Sequence, residues 1–170
     1  MELILHKTTK PGIFSEIENY LNKLKLSAVS KDESRPWGGF FVINEEEAEE
    51  FGRNFFPEYK IDELKIAGKL SPKILVVEPG KRLSWQYHHR RAEIWRVISG
   101  SAGIVTSPDD TEGKLKKYNT GDLIKLECGE RHRLIGLENW GVIAEIWQHT
   151  DASNPSDEDD IVRVQDDFGR

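Results

Sequence analysis

The stretch "PGKRLSWQYHHRRAEIWRVISG", residues 79–100, decides how this chain is read. It opens on a Pro-Gly turn and closes on Gly100, with a strand-like pattern between them. Side chains two apart on a strand share a face. Ser84, Gln86 and His88 therefore point one way, and Trp85, Tyr87 and His89 the other. A tight turn over residues 89–92 would return Glu93 and Trp95 beside the first face, as one hairpin. A second hairpin, running from Gly121 through "GERHR", would bring His132 to the same mouth. Gln86, His88, Glu93 and His132 then supply two imidazole nitrogens and two oxygens. That donor set suits zinc or another borderline divalent ion, Mn, Co, Ni or Fe among them. Histidines on half-buried strands are more often hydrogen-bonded than metal-bound, so the signal lies in the four together.

The surroundings support a β-rich reading. From residue 72 onward "KILVVEPG", "RLSWQYH", "EIWRVISG", "SAGIVTS", "GDLIKLECG", "RHRLIGLE" and "GVIAEIWQ" are short apolar or alternating runs. Pro-Gly, Gly and Asp-Asp turns separate them, the pattern of a sandwich or small barrel. The N-terminal third differs. "LILH" (3–6) reads as a strand, and "PGIFSEIENYLNKLKL" as an amphipathic helix with Ile13, Ile17 and Leu24 on one face. "SAVSKDESRPWGG" reads as a connection and "FFVI" (40–43) as a strand. Asn44, three residues before Glu47, opens a second helix with a capping-box-like start. One domain without a separate second core is expected over 1–170. It divides into an extension (1–33), a barrel (34–150) with a helical insertion near 44–66, and a tail (151–170) docking on the barrel mouth.

The composition excludes several function classes. The charged share is 32% and the net charge −6, much of it in "SDEDDIVRVQDD". An acidic chain without a basic stripe argues against nucleic acid as a partner. No apolar run approaches membrane-span length, and the N-terminus lacks signal-peptide order, so no membrane partner and a cytoplasmic location are expected. The single cysteine, Cys128, cannot close an internal disulfide. It sits in a turn and nothing nearby marks it as a nucleophile.

Gly80, five residues, Gln86-Tyr87-His88, four residues, Glu93, six residues, Gly100 resembles the first motif of the cupin superfamily, with Gln where the first His is usual. Gly121, five residues, Glu127-Cys128-Gly129, two residues, His132 resembles the second, with Glu127 where Pro is usual. With "RPWG" (35–38) and the terminal "EDDIVRVQDDFGR", the chain is similar to the cupin domain of type II phosphomannose isomerases. That domain often follows a GDP-mannose pyrophosphorylase domain, and nothing here resembles the nucleotidyltransferase half. The resemblance implies a mainly β fold, a cupin-type double-stranded β-helix (jelly-roll barrel) with one or two short α-helices in the N-terminal third. It also implies that Gln86, His88, Glu93 and His132 are the metal ligands.

The implied activity is metal-dependent aldose–ketose isomerisation of a sugar phosphate, with mannose 6-phosphate and fructose 6-phosphate as the leading pair. Arg163 and Arg170 match family positions and are the expected catalytic-site cations, provided that the tail folds over the mouth. Arg35 and Arg82 are weaker phosphate candidates, and Ser84 could bond a substrate oxygen from the ligand-bearing face. The plainer reading of Arg163 is pairing with the neighbouring acids. Glu93 is a candidate for both ligand and base in such a site; Lys81, Lys125 and Glu145 are the other candidates for the proton-transfer group. His89 has the wrong parity for a ligand, and Trp85, Trp95 and Trp147 read as core or interface. Family histidines are Arg90 and Ile94 here, and 45–68 has no family counterpart. An isomerase of another sugar, such as lyxose, and a non-catalytic sugar- or metal-binding cupin are the alternatives. Edge strands of such barrels often pair between subunits, so a homodimer is expected.

Overall fold

The computed structural model describes residues 1–170. Helix α1 (Lys10–Lys23) begins where Thr9 Oγ1 accepts the Gly12 N–H, with Pro11 in its first turn. It ends as Lys25 turns left-handed (φ 58) and the Leu26 N–H reaches back to the Leu21 carbonyl. Strands β1 (Ala28–Asp32) and β2 (Gly38–Ile43) follow, then a 3-10 turn (Glu45–Glu47) and helices α2 (Ala48–Phe55) and α3 (Ile61–Leu64). Nine further strands complete the chain: β3 (Lys73–Val77), β4 (Trp85–Tyr87), β5 (Arg91–Ser99), β6 (Ser101–Ser107), β7 (Lys116–Asn119), β8 (Leu123–Leu126), β9 (Arg131–Gly136), β10 (Gly141–His149) and β11 (Val162–Gln165). They form a six-stranded sheet, β1-β2-β3-β10-β5-β8, and a five-stranded sheet, β11-β4-β9-β6-β7, with every pairing antiparallel. This is the cupin-type jelly roll that the two motifs implied.

The central strands of the larger sheet, β3, β10 and β5, are buried on both faces, and their alternation shows how. Ile74, Val76, Ile94, Val142, Ala144 and Ile146 pack outward against Ile13, Phe14 and Ile17 of α1 and Phe51 and Phe55 of α2. Leu75, Val77, Trp95, Val97 and Ile143 pack inward toward Ile104 and Leu134 of the smaller sheet. Each set is apolar because water is excluded from both sides of one sheet. The core thus lies in two apolar clusters, one on each face of the six-stranded sheet.

Other expectations also need correction. Residues 3–6 form no strand: Leu3 is buried, while the His6 and Lys7 N–H groups donate to the Glu16 carboxylate. Residues 28–32, read as a connection, are an edge strand. Glu47 does not close a capping box but accepts from the Ser27 N–H and hydroxyl. Neither predicted hairpin forms. Strand β4 pairs with β9 and β11, β5 with β10 and β8, so the chain crosses between sheets at residues 88–90; residues 127–130 make a second crossing. No helix is long and apolar enough to cross a membrane.

Candidate metal centre

At one end of the barrel the inward rows change from apolar to polar. On β5 the inward sequence runs Val97, Trp95, Glu93 and then Arg91; on β10 it runs Ile143, Glu145, Trp147; on β3 it runs Val77, Leu75, Lys73. The smaller sheet adds Gln86 directly opposite His132, with Arg163 of β11 opposite Gln86. Two corners, rather than two hairpins, thus bring His88 and His132 to Glu93.

The three residues offer ligand atoms within 4.8 Å of one another, and all are at most 3% exposed. His88 Nδ1 lies 2.7 Å from the Asp160 carbonyl and His132 Nδ1 lies 3.0 Å from the Glu130 carbonyl. A carbonyl only accepts, so each Nδ1 carries a proton, and in the neutral imidazole each Nε2 then presents a lone pair. His88 Nε2 lies 3.1 Å from Glu93 Oε1, and His132 Nε2 lies 3.5 Å from Glu93 Oε2. Acceptors therefore face acceptors, an arrangement that calls for a cation between them. Arg91 meets part of that need, donating from Nε to Glu93 Oε1 at 2.8 Å, with Nη2 3.3 Å from His88 Nε2. Glu93 Oε2 and His132 Nε2 are buried and have no hydrogen-bond partner. Two orphaned acceptors beside two oriented imidazoles fit a divalent ion.

The protonation states agree. Burial pushes the His132 imidazole down to about 4, which leaves it neutral and able to ligate at neutral pH.

Glu93 opens onto a cavity of about 110 Å³ lined also by Ser84, Gln86, Glu145, Trp95 and Trp147. Arg35, Arg163 and Arg170 line it as well, with the tail contributing the last two. Arg163 faces no carboxylate at ion-pair distance, so the plain reading of a partner for the acid run does not hold. Arg170 is paired with Asp166 at 2.9 Å and Arg35 with Asp32 at 2.8 Å. Arg82 is not on the cavity wall: its guanidinium makes a two-pronged pair with Asp167, at 2.6 and 2.9 Å, so it pins the tail. Gln86 faces the cavity, and its Oε1 accepts the Ser84 hydroxyl at 2.5 Å. His89 stands edge-on to Tyr87, away from the ligands.

Residues passed over in the sequence also matter. Arg91 is 5% exposed, its guanidinium 3.6 Å from the Trp147 ring centroid, and its two-residue spacing from Glu93 was the available signal. Asp160 accepts the His89 and Arg90 N–H groups, each at 3.0 Å, and the Ser156 hydroxyl at 2.6 Å. It is the last residue of the acid run "DEDD" (157–160), where nothing in the local pattern sets it apart from its neighbours.

Comparison with known proteins adds to this geometry. A family model described as "Mannose-6-phosphate isomerase C-terminal" matches residues 43–166. The chain is 32% identical over 114 residues to the mannose-1-phosphate guanylyltransferase ManC of Salmonella typhimurium, covering 67% of this chain and 22% of that protein. It is 37% identical over 109 residues to the xanthan biosynthesis protein XanB of Xanthomonas campestris, covering 64% of this chain and 22% of that protein. The chain thus spans 22% of the length of these two relatives. Among solved structures, the oxalate decarboxylase of Lactobacillus farciminis superposes with a TM-score of 0.54 at 17% identity, over 81% of this chain and 34% of that one. That likeness is one of fold.

Proposed function

The chain belongs to the mannose-6-phosphate isomerase C-terminal family, and from that premise we propose that it is a metal-dependent aldose–ketose isomerase of a sugar phosphate, with mannose 6-phosphate and fructose 6-phosphate as the substrate pair. The observation that carries the reading is the buried His88–Glu93–His132 set, with two unpartnered acceptors, opening through Glu93 onto a cavity rimmed by arginines. His88, His132 and Glu93 would hold the ion, zinc before Mn, Co, Ni or Fe by their donor types, with Gln86 turning from Ser84 to complete the set. A bound divalent ion supplies a Lewis acid that polarises a carbonyl or hydroxyl oxygen.

The chain's own residues do the rest. The Asp160 and Glu130 carbonyls fix both imidazoles, so no reorientation is required when ligand arrives. Trp95, Leu75 and Leu83 wall the inner end and limit water there. The cavity is smaller than the roughly 300 Å³ at which small-molecule sites usually begin, so the phosphate would remain at the mouth. Arg163, free of an ion pair, and Arg35 and Arg170 are the cations that meet it there, with guanidinium forks matched to phosphate oxygens. Ser84 lies within reach of a sugar hydroxyl on the same wall. The nucleotidyl transfer named for the longer relatives is not part of this reading.

The test is a coupled assay of mannose 6-phosphate to fructose 6-phosphate on protein stripped by chelator and reloaded with Zn²⁺, Mn²⁺ or Co²⁺. Turnover restored by metal and absent in His132→Ala supports the reading. Stoichiometric metal without turnover shifts it to another sugar, such as lyxose, or to a binding-only cupin.

A further inference from the structure

We propose that the Glu145 carboxylate is the catalytic group that moves the proton between C1 and C2 of the sugar. The assignment rests on the isomerase reading and deepens it. Four residues had the chemistry for this step, and position separates them. Lys81 is exposed and off the cavity, and Lys125 projects from β8 onto the outer face, 5.2 Å from the Tyr59 ring centroid. Glu93 turns both oxygens to the ligand set. Glu145 is on the cavity wall, 4% exposed.

Its hydrogen bonding is unusual for a buried carboxylate. Oε2 accepts the Trp95 indole N–H at 2.8 Å and Oε1 accepts the Trp147 indole N–H at 2.9 Å. Each oxygen keeps a lone pair for a ligand. No cation pairs with it: Lys73, opposite Glu145 in the β3–β10 register, is bonded to Glu158 instead. A buried carboxylate without an ion pair is costly to maintain and is characteristic of functional sites. Two neutral indoles fix its direction without neutralising it.

The charged groups that share the cavity wall with it are Lys73 from β3, Arg91 and Glu93 from β5, Arg35 from the turn before β2, and Glu158, Arg163 and Arg170 from the tail. Held on the cavity wall by two indole donors and by no cation, the Glu145 carboxylate has the chemistry to accept a proton and return it.

The step balances. The carboxylate takes the C2 proton, the C2–H electron pair becomes the C1=C2 bond, and the carbonyl pair moves onto O1. The O2 proton passes to O1. As O2 then forms the C2 carbonyl, C1 recovers the proton from the Glu145 carboxyl.

The experiment compares wild type, Glu145→Gln and Glu145→Asp in D₂O, following sugar-phosphate interconversion and deuterium uptake at the transferred position, with metal content measured on each. The proposal expects Glu145→Gln to bind metal fully yet lose turnover and exchange about 10²–10⁴-fold. Glu145→Asp should keep both at a reduced level, with the acid limb of its kcat/KM profile retained. Glu145→Gln turning over within about threefold of wild type overturns the assignment and leaves the isomerase reading intact. A metal-loaded wild type that interconverts no sugar phosphate overturns both.

Discussion

Asp160 ties the tail to the corner that carries His88, and replacing it measures that link. Its carboxylate accepts two backbone N–H groups, of His89 and Arg90, together with the Ser156 hydroxyl, and its own carbonyl accepts the His88 Nδ1–H. Asp160→Asn keeps one acceptor oxygen and turns an amide toward the second N–H. One buried donor left without a partner costs about 1–3 kcal/mol. The titration points to the same size of effect. Burial alone would raise this carboxyl, but the hydrogen bonds from Ser156, His89 and Arg90 outweigh it and take it down to about 2 from an ordinary value of 3.8. That difference corresponds to roughly 2 kcal/mol. Because the folded value is the lower one, this stability is present in full above the unfolded value and is lost as pH falls through the folded value. Urea unfolding of the chelator-treated proteins should therefore show Asp160→Asn about 2 kcal/mol less stable at pH 7, with the gap narrowing by about half at pH 3. A gap below about 0.5 kcal/mol at pH 7, the ordinary scatter of surface substitutions, would refute the reasoning. So would a gap that does not change between the two pH values.

Three other outcomes are expected. Gly38 has φ +143 and a Cβ there would lie 1.9 Å from the Val76 carbonyl oxygen, so Gly38→Ala should cost about 2–4 kcal/mol in thermal unfolding. Arg163→Ala should raise KM at least about tenfold for phosphorylated substrates while leaving metal affinity unchanged, since one charge-assisted phosphate contact is worth about 1.5–3 kcal/mol. Zinc at about 100 times its Kd should add about 2.7 kcal/mol of stability, read by calorimetry as a Tm rise of roughly 5–10 °C that chelator reverses.

What could be read from the sequence was local periodicity. The two-residue alternation of "AEIWRVIS" and "GVIAEIWQ" correctly set Glu93 and Trp95 apart from Ile94, because both strands are buried on two unlike faces. The amphipathic spacing of α1 was equally plain. Pairing was not legible: β4 finds β9 and β11, far along the chain, and no spacing within residues 79–100 distinguishes that corner from a hairpin. Edge strands also escaped. "KKYN" of β7 and "AVSKD" of β1 are largely exposed, so neither carries an apolar alternation. "LILH" has the composition of a strand, but Leu3 and Leu5 join the core cluster that holds α1 while Ile4 is exposed, and its backbone bonds a side chain instead of a ladder. At the site, residue type and parity identified the His and Glu set. The roles of Arg91 and Asp160 depend on the tail's return across the chain, which local pattern does not contain.

The account depends most directly on a divalent ion lying between His88, Glu93 and His132. Chelator-stripped protein should be titrated with Zn²⁺ by calorimetry and the ion then located by anomalous diffraction at the zinc edge. One equivalent per chain, with its anomalous peak among the three side chains and binding abolished in His132→Ala, is the predicted result. Binding that survives His132→Ala unchanged, or a peak elsewhere on the chain, would contradict it.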